Sequence, residues 1–191
     1  MKFEAAVLSE SHAPLSIELL ELAQLSDTDV LVRVQATSLC HTDLEAVEGH
    51  FGTPLPLVPG HEAAGIVEWI GKSVTQVQIG DHVVMSWNPH CGECFYCTRH
   101  QPILCEPYRA RTAQSYHFDG RPRLTREGGA PVHQLMYLGA FAEVCVIDER
   151  CAVKVPHDIP FNRACLIGCG VRLASVRRRI SQKSRKARQL L

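Results

Sequence analysis

Short runs of alternating apolar and polar residues recur along the chain, and turn residues separate them. A period of two is typical of β-strands, because successive side chains of a strand point to opposite faces of the sheet. We therefore predict strands at residues 30–36, 65–70, 82–86, 141–147 and 151–155. Helical periods do not alternate with these strands, so the pattern favours an all-β barrel or sandwich over a βαβ architecture.

Two segments depart from this rhythm. Residues 105–139 are polar, contain few apolar side chains and have no clear period. We interpret them as a long excursion over the surface. Farther on, Asn162 is a candidate N-cap for a short helix that Gly168 and Gly170 would interrupt.

The composition favours a single cytoplasmic domain. A chain of 191 residues with 46% hydrophobic residues can build one good core. Its first twenty residues lack the apolar run of a signal sequence, and no stretch approaches the roughly 18 apolar residues of a membrane span. In a reducing compartment the nine cysteines are expected to be metal ligands or buried residues rather than disulfides.

The net charge of zero conceals an uneven distribution. Residues 172–191 contain eight of the 20 basic residues and none of the 20 acidic ones, which leaves residues 1–171 with a net charge of −8. The basic tail therefore differs in composition from the rest of the chain.

Four cysteines are spaced C-x2-C-x2-C-x7-C within a short segment. Zinc takes four thiolates in a tetrahedron, and two-residue gaps allow successive sulfurs to turn toward one point. Such a site has no open coordination position, so we predict a structural zinc lobe at about residues 88–110. Free cysteines, a redox C-x-x-C pair and a nucleic-acid zinc ribbon are alternatives, but the last two require contexts that are missing. The predicted ligands are Cys91, Cys94, Cys97 and Cys105.

The other cysteines have no such spacing. Cys145, Cys151 and Cys165 are interleaved with apolar residues, and we interpret them as small buried hydrophobic residues. Cys40 and His61 each lie where a turn meets a predicted strand. Taken alone, such a pair is more often structural than metal-binding.

Four blocks in the same order resemble the zinc-dependent medium-chain alcohol dehydrogenases. The segment G-H-E-A-A-G-I-V-E-W-I-G-K-S-V-T-Q-V-Q-I-G-D-H-V is similar to the zinc-binding signature of that family. L-C-H-T-D before it, and the cysteine lobe and L-I-G-C-G after it, resemble the neighbouring blocks. The likeness covers residues 1 to about 171. The long segment after Cys105 is also similar to the corresponding segment of the branch that contains the liver-type and glutathione-dependent formaldehyde dehydrogenases. It implies a mainly β, GroES-like barrel with a zinc lobe.

The resemblance also implies a second, catalytic zinc ion, and therefore two zinc ions per chain. Its ligands would be Cys40, His61 and Cys169, with a fourth position open for water or the substrate oxygen. Thr42 matches the hydroxyl that receives the alcohol proton. Asp43 would hold the imidazole of His61 in its ligating tautomer.

Further matches are less specific. Glu62, like Asp43, matches an acid just outside the metal ligands, and the alternative for both is a solvated acid beside a turn. His41 stands where the family often places a basic residue against the cofactor pyrophosphate, or is an exposed histidine. Trp87 matches a residue of the substrate channel or fills the core. Glu45 departs from the family, because some members have a proton-passing histidine there.

The resemblance ends at residue 171. In the family a Rossmann domain follows, but no G-x-G-x-x-G follows a strand here, so we expect that domain to be absent and NAD(P) to bind only if a nucleotide-binding domain were present. For residues 172–191 our hypothesis is an out-of-frame tail, because a neighbouring reading frame can encode a helix like that of the family. The alternative is a basic arm that binds polyanions.

The implied function is that of a zinc-dependent alcohol dehydrogenase acting on small-molecule alcohols and aldehydes or ketones. We expect negligible turnover from residues 1–191 alone, because hydride transfer needs a bound nicotinamide. Members of the family form homo-oligomers, and neither a membrane nor a nucleic acid is an expected partner. The rival functions are a non-catalytic zinc module with a polyanion-binding tail and a thiol redox protein.

Overall fold

The computed structural model describes residues 1–112 and 115–171, and of residues 111 and 112 only the backbone. Within these residues the strands form two curled sheets. The first sheet contains β1 (Lys2–Val7), β2 (Ser16–Leu22), β4 (Leu57–Val58), β7 (Leu124–Thr125) and β8 (Pro131–Gln134). The second contains β3 (Asp29–Thr37), β5 (Ala63–Ile70), β6 (His82–Met85), β9 (Val144–Asp148) and β10 (Ala152–Lys154).

Short helices connect these strands. The α-helices are α1 (His41–Val47), α2 (Glu106–Thr112) and α3 (Phe161–Ala164). Single 3-10 turns cover Cys97–Arg99, Pro102–Leu104, Leu135–Tyr137, Glu149–Cys151 and Cys165–Ile167. No helix among the described residues is long and apolar enough to cross a bilayer.

The strand order closes the first sheet into a curl. Its order is β1-β2-β7-β8-β4, antiparallel except for the parallel pair β4 and β8. Leu8 and Leu57 exchange backbone hydrogen bonds of 2.8 and 2.9 Å, which return β4 to the end of β1. The second sheet, β10-β6-β5-β3-β9, is antiparallel throughout. The mainly β fold predicted from the alternating pattern is therefore confirmed.

Strands β3 and β9 are buried on both faces, which explains their nearly continuous apolar sequences. Val30 and Val32 of β3 belong to one core cluster, whereas Leu31 belongs to the cluster shared with the first sheet. In β9, Cys145 likewise faces the first cluster and Val146 the second. Both sheets therefore depend on this strand pair for their core.

Two predictions about local structure were wrong, and several elements were not predicted. Residues 105–139 include α2, β7 and β8, and the buried side chains Leu124 and Val132 place β7 and β8 in the core. The last helix begins at Phe161 with Pro160 at its N-cap, so Asn162 lies inside it. Strands β1 and β2 and helix α1 were not predicted. Helix α1 has only two buried residues and therefore no long helical period.

A buried ion-pair network attaches the segment before β7 to the start of β3. Arg123 is 1% exposed, and its guanidinium donates to both carboxylate oxygens of Asp29 and to Asp119 at 2.9 Å. His117 Nδ1 lies 3.6 Å from Asp29 Oδ1. Burial by itself would raise the pKa of Asp29, but these partners hold it at about 2. The pair can exist only because each charge is matched by another.

Replacing Asp29 with Asn is expected to lower the free energy of unfolding near neutral pH by about 3 kcal/mol, because it leaves the Arg123 charge underpaired in the core. Because the pKa of Asp29 is lower in the folded state than in the unfolded state, its ionisation stabilises the fold. This stabilisation is complete above the unfolded pKa of about 4 and is lost as the pH falls toward the folded pKa of about 2. Asp29 should therefore contribute about 2 kcal/mol that disappears across this window. Urea unfolding at several pH values measures both effects.

Asp27→Asn is the matched control, because Asp27 has a 56% exposed side chain and pairs with Lys72 at the surface. Its loss should change stability by no more than about 0.5 kcal/mol at any pH. Equal losses in the two variants would contradict the account.

Candidate metal centres

The pairing of β3 with β5 brings the first two predicted ligands together. Thr37, at the end of β3, pairs with Ala63, at the start of β5. Cys40 follows β3 as the N-cap of α1, and His61 lies two residues before β5. The register of one strand pair therefore places side chains that are 21 residues apart in sequence at the same end of the sheet.

The turn that follows helix α3 carries the third predicted ligand. Ala164 and Cys165 pack against Ala64 of β5 in a small buried cluster, and Cys169 follows the 3-10 turn at Cys165–Ile167. A Cβ on Gly168 would lie 2.8 Å from the carbonyl oxygen of Met85. Glycine is therefore required for this turn to approach β6 closely.

Ligand atoms of Cys40, His61, Glu62 and Cys169 all lie within 4.8 Å of one another. His61 is 1% exposed, and Glu62 is 3% exposed. The structure therefore brings together the three residues that the family resemblance implied as ligands of a catalytic metal. It adds a carboxylate that we had expected only outside the ligands, because sequence spacing does not distinguish a ligand from its neighbour.

Asp43 fixes the orientation of the imidazole. Its Oδ1 lies 3.0 Å from His61 Nδ1 and accepts a 3.0 Å hydrogen bond from the backbone N–H of Gly60. Its Oδ2 accepts from the backbone N–H of Cys40 at 3.0 Å. With Nδ1 engaged, Nε2 of His61 is buried and has no hydrogen-bond partner among the described residues. Gly60 has φ of +95°, and a Cβ there would lie 2.7 Å from the backbone nitrogen of Phe141.

The ligand atoms of this cluster fit a zinc ion. A buried ring nitrogen without a partner is costly unless something binds it, and zinc is bound by imidazole nitrogen, thiolate and carboxylate. Burial, together with the negative charges of Cys40 and Glu62, raises the pKa of Cys169 to about 12. Burial by itself would lower the pKa of His61, but Asp43 and, to a smaller extent, Cys40 together raise it above its usual value. A cation among these groups would relieve the repulsion between the sulfurs and the carboxylate.

The four cysteines of the lobe converge on a second point, with ligand atoms within 4.8 Å of one another. The Sγ atoms of Cys91 and Cys105 are 3.6 Å apart, those of Cys91 and Cys97 3.9 Å, and those of Cys94 and Cys105 4.0 Å. A tetrahedron with metal–sulfur bonds of about 2.3 Å has edges of about 3.8 Å. The cluster therefore has the dimensions of a tetrathiolate zinc site.

Backbone amides support the sulfurs of this lobe. The N–H groups of Cys91 and Cys94 donate at 3.3 Å to the sulfurs of Cys105 and Cys91 respectively. The backbone of Cys97 lowers the pKa of Cys94 to about 6, whereas burial raises the pKa of Cys105 to about 12. Amide donors of this kind favour thiolates, the form that binds a metal.

The remaining candidates occupy distinct positions. Thr42 is half-buried in the first turn of α1. The exposed His41 places Nε2 3.0 Å from Glu45, and Glu45 also lies 3.2 Å from Nδ1 of His50. Glu45 therefore lies between two histidines. The family resemblance did not indicate these contacts. Trp87 packs against the first core cluster.

The other three cysteines are buried as predicted, at Cys145, Cys151 and Cys165.

Residues 26–157 match the family model of the alcohol dehydrogenase GroES-like domain. The chain belongs to this family. It is 40% identical over 171 residues to an NDMA-dependent alcohol dehydrogenase of Amycolatopsis methanolica, covering 90% of this chain and 46% of that protein. The GroES-like fold and the alcohol dehydrogenase resemblance are thus both confirmed.

Two solved structures resemble this member of the family closely. An alcohol dehydrogenase zinc-binding domain protein from Burkholderia ambifaria matches with a TM-score of 0.83 at 36% identity. Benzyl alcohol dehydrogenase from Acinetobacter calcoaceticus matches with a TM-score of 0.80 at 34% identity. Each match covers 90% of this chain and 46% of the other chain, so the chain spans about half the length of these relatives.

Replacing Asp43 with Ala is expected to weaken zinc binding at the His61 site by about tenfold to a hundredfold, because the imidazole loses the acceptor that orients it. Competition with a chromophoric chelator measures this affinity. Glu48→Ala is the control, because Glu48 is a carboxylate at the C-cap of the same helix and lies 3.6 Å from His50 Nδ1. Unchanged affinity in a folded Asp43→Ala chain would contradict the role of Asp43.

Proposed function

We propose that this chain is the zinc-binding catalytic domain of an alcohol dehydrogenase, with a catalytic zinc ion held by Cys40, His61 and Cys169. The observation that supports this most directly is the convergence of these side chains around a buried His61 Nε2 that has no hydrogen-bond partner among residues 1–112 and 115–171. Three protein ligands and an accessible fourth position are characteristic of catalytic zinc. Membership of the family supports the same assignment.

Each residue around the site has a separate proposed role. A zinc ion bound there supplies a Lewis acid for the alcohol or carbonyl oxygen. Asp43 holds Nδ1 of His61 and so directs Nε2 toward the sulfurs. The Oγ1 atom of Thr42, two residues after Cys40 on the first turn of α1, would accept a hydrogen bond from the alcohol hydroxyl and relay its proton by releasing its own proton to solvent. His41 contacts the pyrophosphate of the cofactor when a nucleotide-binding domain is present.

The lobe at about residues 88–110 is proposed to hold a second, structural zinc ion, giving two per chain. Four thiolates complete a tetrahedron and leave no position for substrate. The metal would replace a hydrophobic core in this lobe, where none of Cys91, Cys94 and Cys97 is fully buried.

For the whole protein we propose NAD(P)-dependent interconversion of small-molecule alcohols with aldehydes or ketones, in a homo-oligomer. The support is the named activity of the relatives, one of which is a benzyl alcohol dehydrogenase. We assign residues 1–171 to the GroES-like catalytic domain. The basic tail at 172–191, with its out-of-frame and polyanion-binding interpretations, lies outside the described residues.

Metal analysis of the purified chain tests this proposal. We expect two zinc ions per chain, and one in each of the variants Cys40→Ser, His61→Ala and Cys169→Ser. Cys97→Ser should also retain one, because it disrupts only the lobe. After cobalt substitution, imidazole should change the visible spectrum of Cys97→Ser but not of His61→Ala, because only the His61 site has an open position.

Cys145→Ser is the control, since Cys145 is buried in the core away from both clusters. A single zinc ion that is lost with Cys97 and unaffected by His61→Ala would contradict the catalytic site. That result would favour a non-catalytic zinc module.

A further inference from the structure

The carboxylate of Glu62 is held at the edge of the candidate catalytic site by Ser38. The hydroxyl of Ser38 donates a short hydrogen bond to Oε2 of Glu62. The backbones of the same two residues are also connected, because the N–H of Ser38 donates to the carbonyl oxygen of Glu62 at 3.0 Å. The position of Ser38 relative to Glu62 is therefore fixed by the pairing of β3 with β5.

Apart from the Ser38 hydroxyl, few groups are placed to stabilise the charge of the Glu62 carboxylate. It is 3% exposed, so water does not solvate its charge. Its carboxylate oxygens lie 3.7 and 3.8 Å from where a Cβ of Gly170 would be, beside Cys169. Within residues 1–112 and 115–171, no lysine or arginine forms an ion pair with it. A buried carboxylate in these surroundings binds strongly to any cation within reach.

The same carboxylate lies within reach of the proposed catalytic zinc ion, because one of its oxygens is among the clustered ligand atoms. Glu62 can therefore compete with substrate for the fourth coordination position. A hydrogen bond to a charged acceptor is strong enough to influence such a competition, since it favours the arrangement in which the carboxylate remains with its donor.

We propose that Ser38 is a positioning residue that keeps Glu62 beside the metal and out of the fourth coordination position, so that this position stays open to an incoming ligand. The inference rests on the proposed function, since it requires the metal at Cys40, His61 and Cys169. It assigns Ser38 a role in substrate access rather than in the chemical step.

Removal of the Ser38 hydroxyl should allow the Glu62 carboxylate to bind the metal. An exogenous ligand must then displace the carboxylate, and its apparent affinity falls in proportion to the fraction of sites that are still open. The metal gains a fourth protein ligand at the same time, so a chelator should extract it more slowly.

The test uses the full chain with cobalt in the catalytic site and imidazole as the probe ligand. Ser38→Ala is expected to weaken imidazole binding about tenfold, measured from the visible spectrum of cobalt, and to slow cobalt extraction by a chelator. Ser38→Thr, which retains a hydroxyl, should restore both values. Ser38→Gly is a second hydroxyl-free variant that adds no volume, should the alanine chain fold poorly.

Two further variants separate positioning from a general structural effect. In a Glu62→Gln background Ser38→Ala should no longer affect imidazole binding, because an amide competes weakly for the metal. Thr37→Val is the matched control, since the Thr37 hydroxyl donates at 2.9 Å to the backbone carbonyl of Glu62 rather than to its carboxylate. It should leave imidazole binding unchanged.

The outcomes distinguish this inference from the function on which it rests. If cobalt does not bind at the His61 site in the unaltered chain, the proposed function fails and the inference fails with it. If cobalt binds and responds to imidazole but Ser38→Ala and Ser38→Gly behave as the unaltered chain does, only the role of Ser38 is overturned. An equal loss in Ser38→Ala with and without Glu62→Gln would also overturn it.

Discussion

The hydrogen bond between Asp43 and Nδ1 of His61 is the interaction on which the candidate catalytic centre depends. It occupies one ring nitrogen, and no residue that the structure describes offers the other nitrogen a hydrogen-bond partner. An imidazole anchored in this way can satisfy Nε2 only through something that enters the cluster of two sulfurs and a carboxylate. Because the same carboxylate also accepts from the backbone at Cys40 and Gly60, the loops that carry two proposed ligands are held by one side chain.

The sheets make this arrangement possible. Burial of β3 and β9 on both faces fixes the register of β3, and the pairing of Thr37 with Ala63 then places Cys40 and His61 at one end of the sheet. Cys169 arrives from a helix that packs on the same strands. The site thus needs the complete barrel, whereas the zinc lobe needs only a short segment and the metal itself. This difference explains why one centre has a compact sequence spacing and the other a dispersed one.

Sequence alone could predict the interior strands and the lobe, because period-two patterns and cysteine spacing are local signals. It could not predict β7 and β8, since their sequences lie in a polar segment and Leu124 and Val132 are buried by residues that are distant in sequence. Asn162 looked like a helix cap because its side chain suits that position, but Pro160 already fixes the backbone where the helix starts. The dispersed ligands required the family resemblance. The contact of Ser38 with the Glu62 carboxylate appears only once strand register is known.

The central claim is that His61 presents Nε2 to a metal while Asp43 retains Nδ1. Nitrogen-15 NMR of the imidazole tests it directly, with His61→Gln used to assign the resonances among the ten histidines. We predict that zinc moves the Nε2 resonance to a metal-bound value, and that Nδ1 stays protonated and coupled to its hydrogen. An unchanged Nε2 resonance after zinc binds, or a zinc-bound Nδ1, would contradict this account.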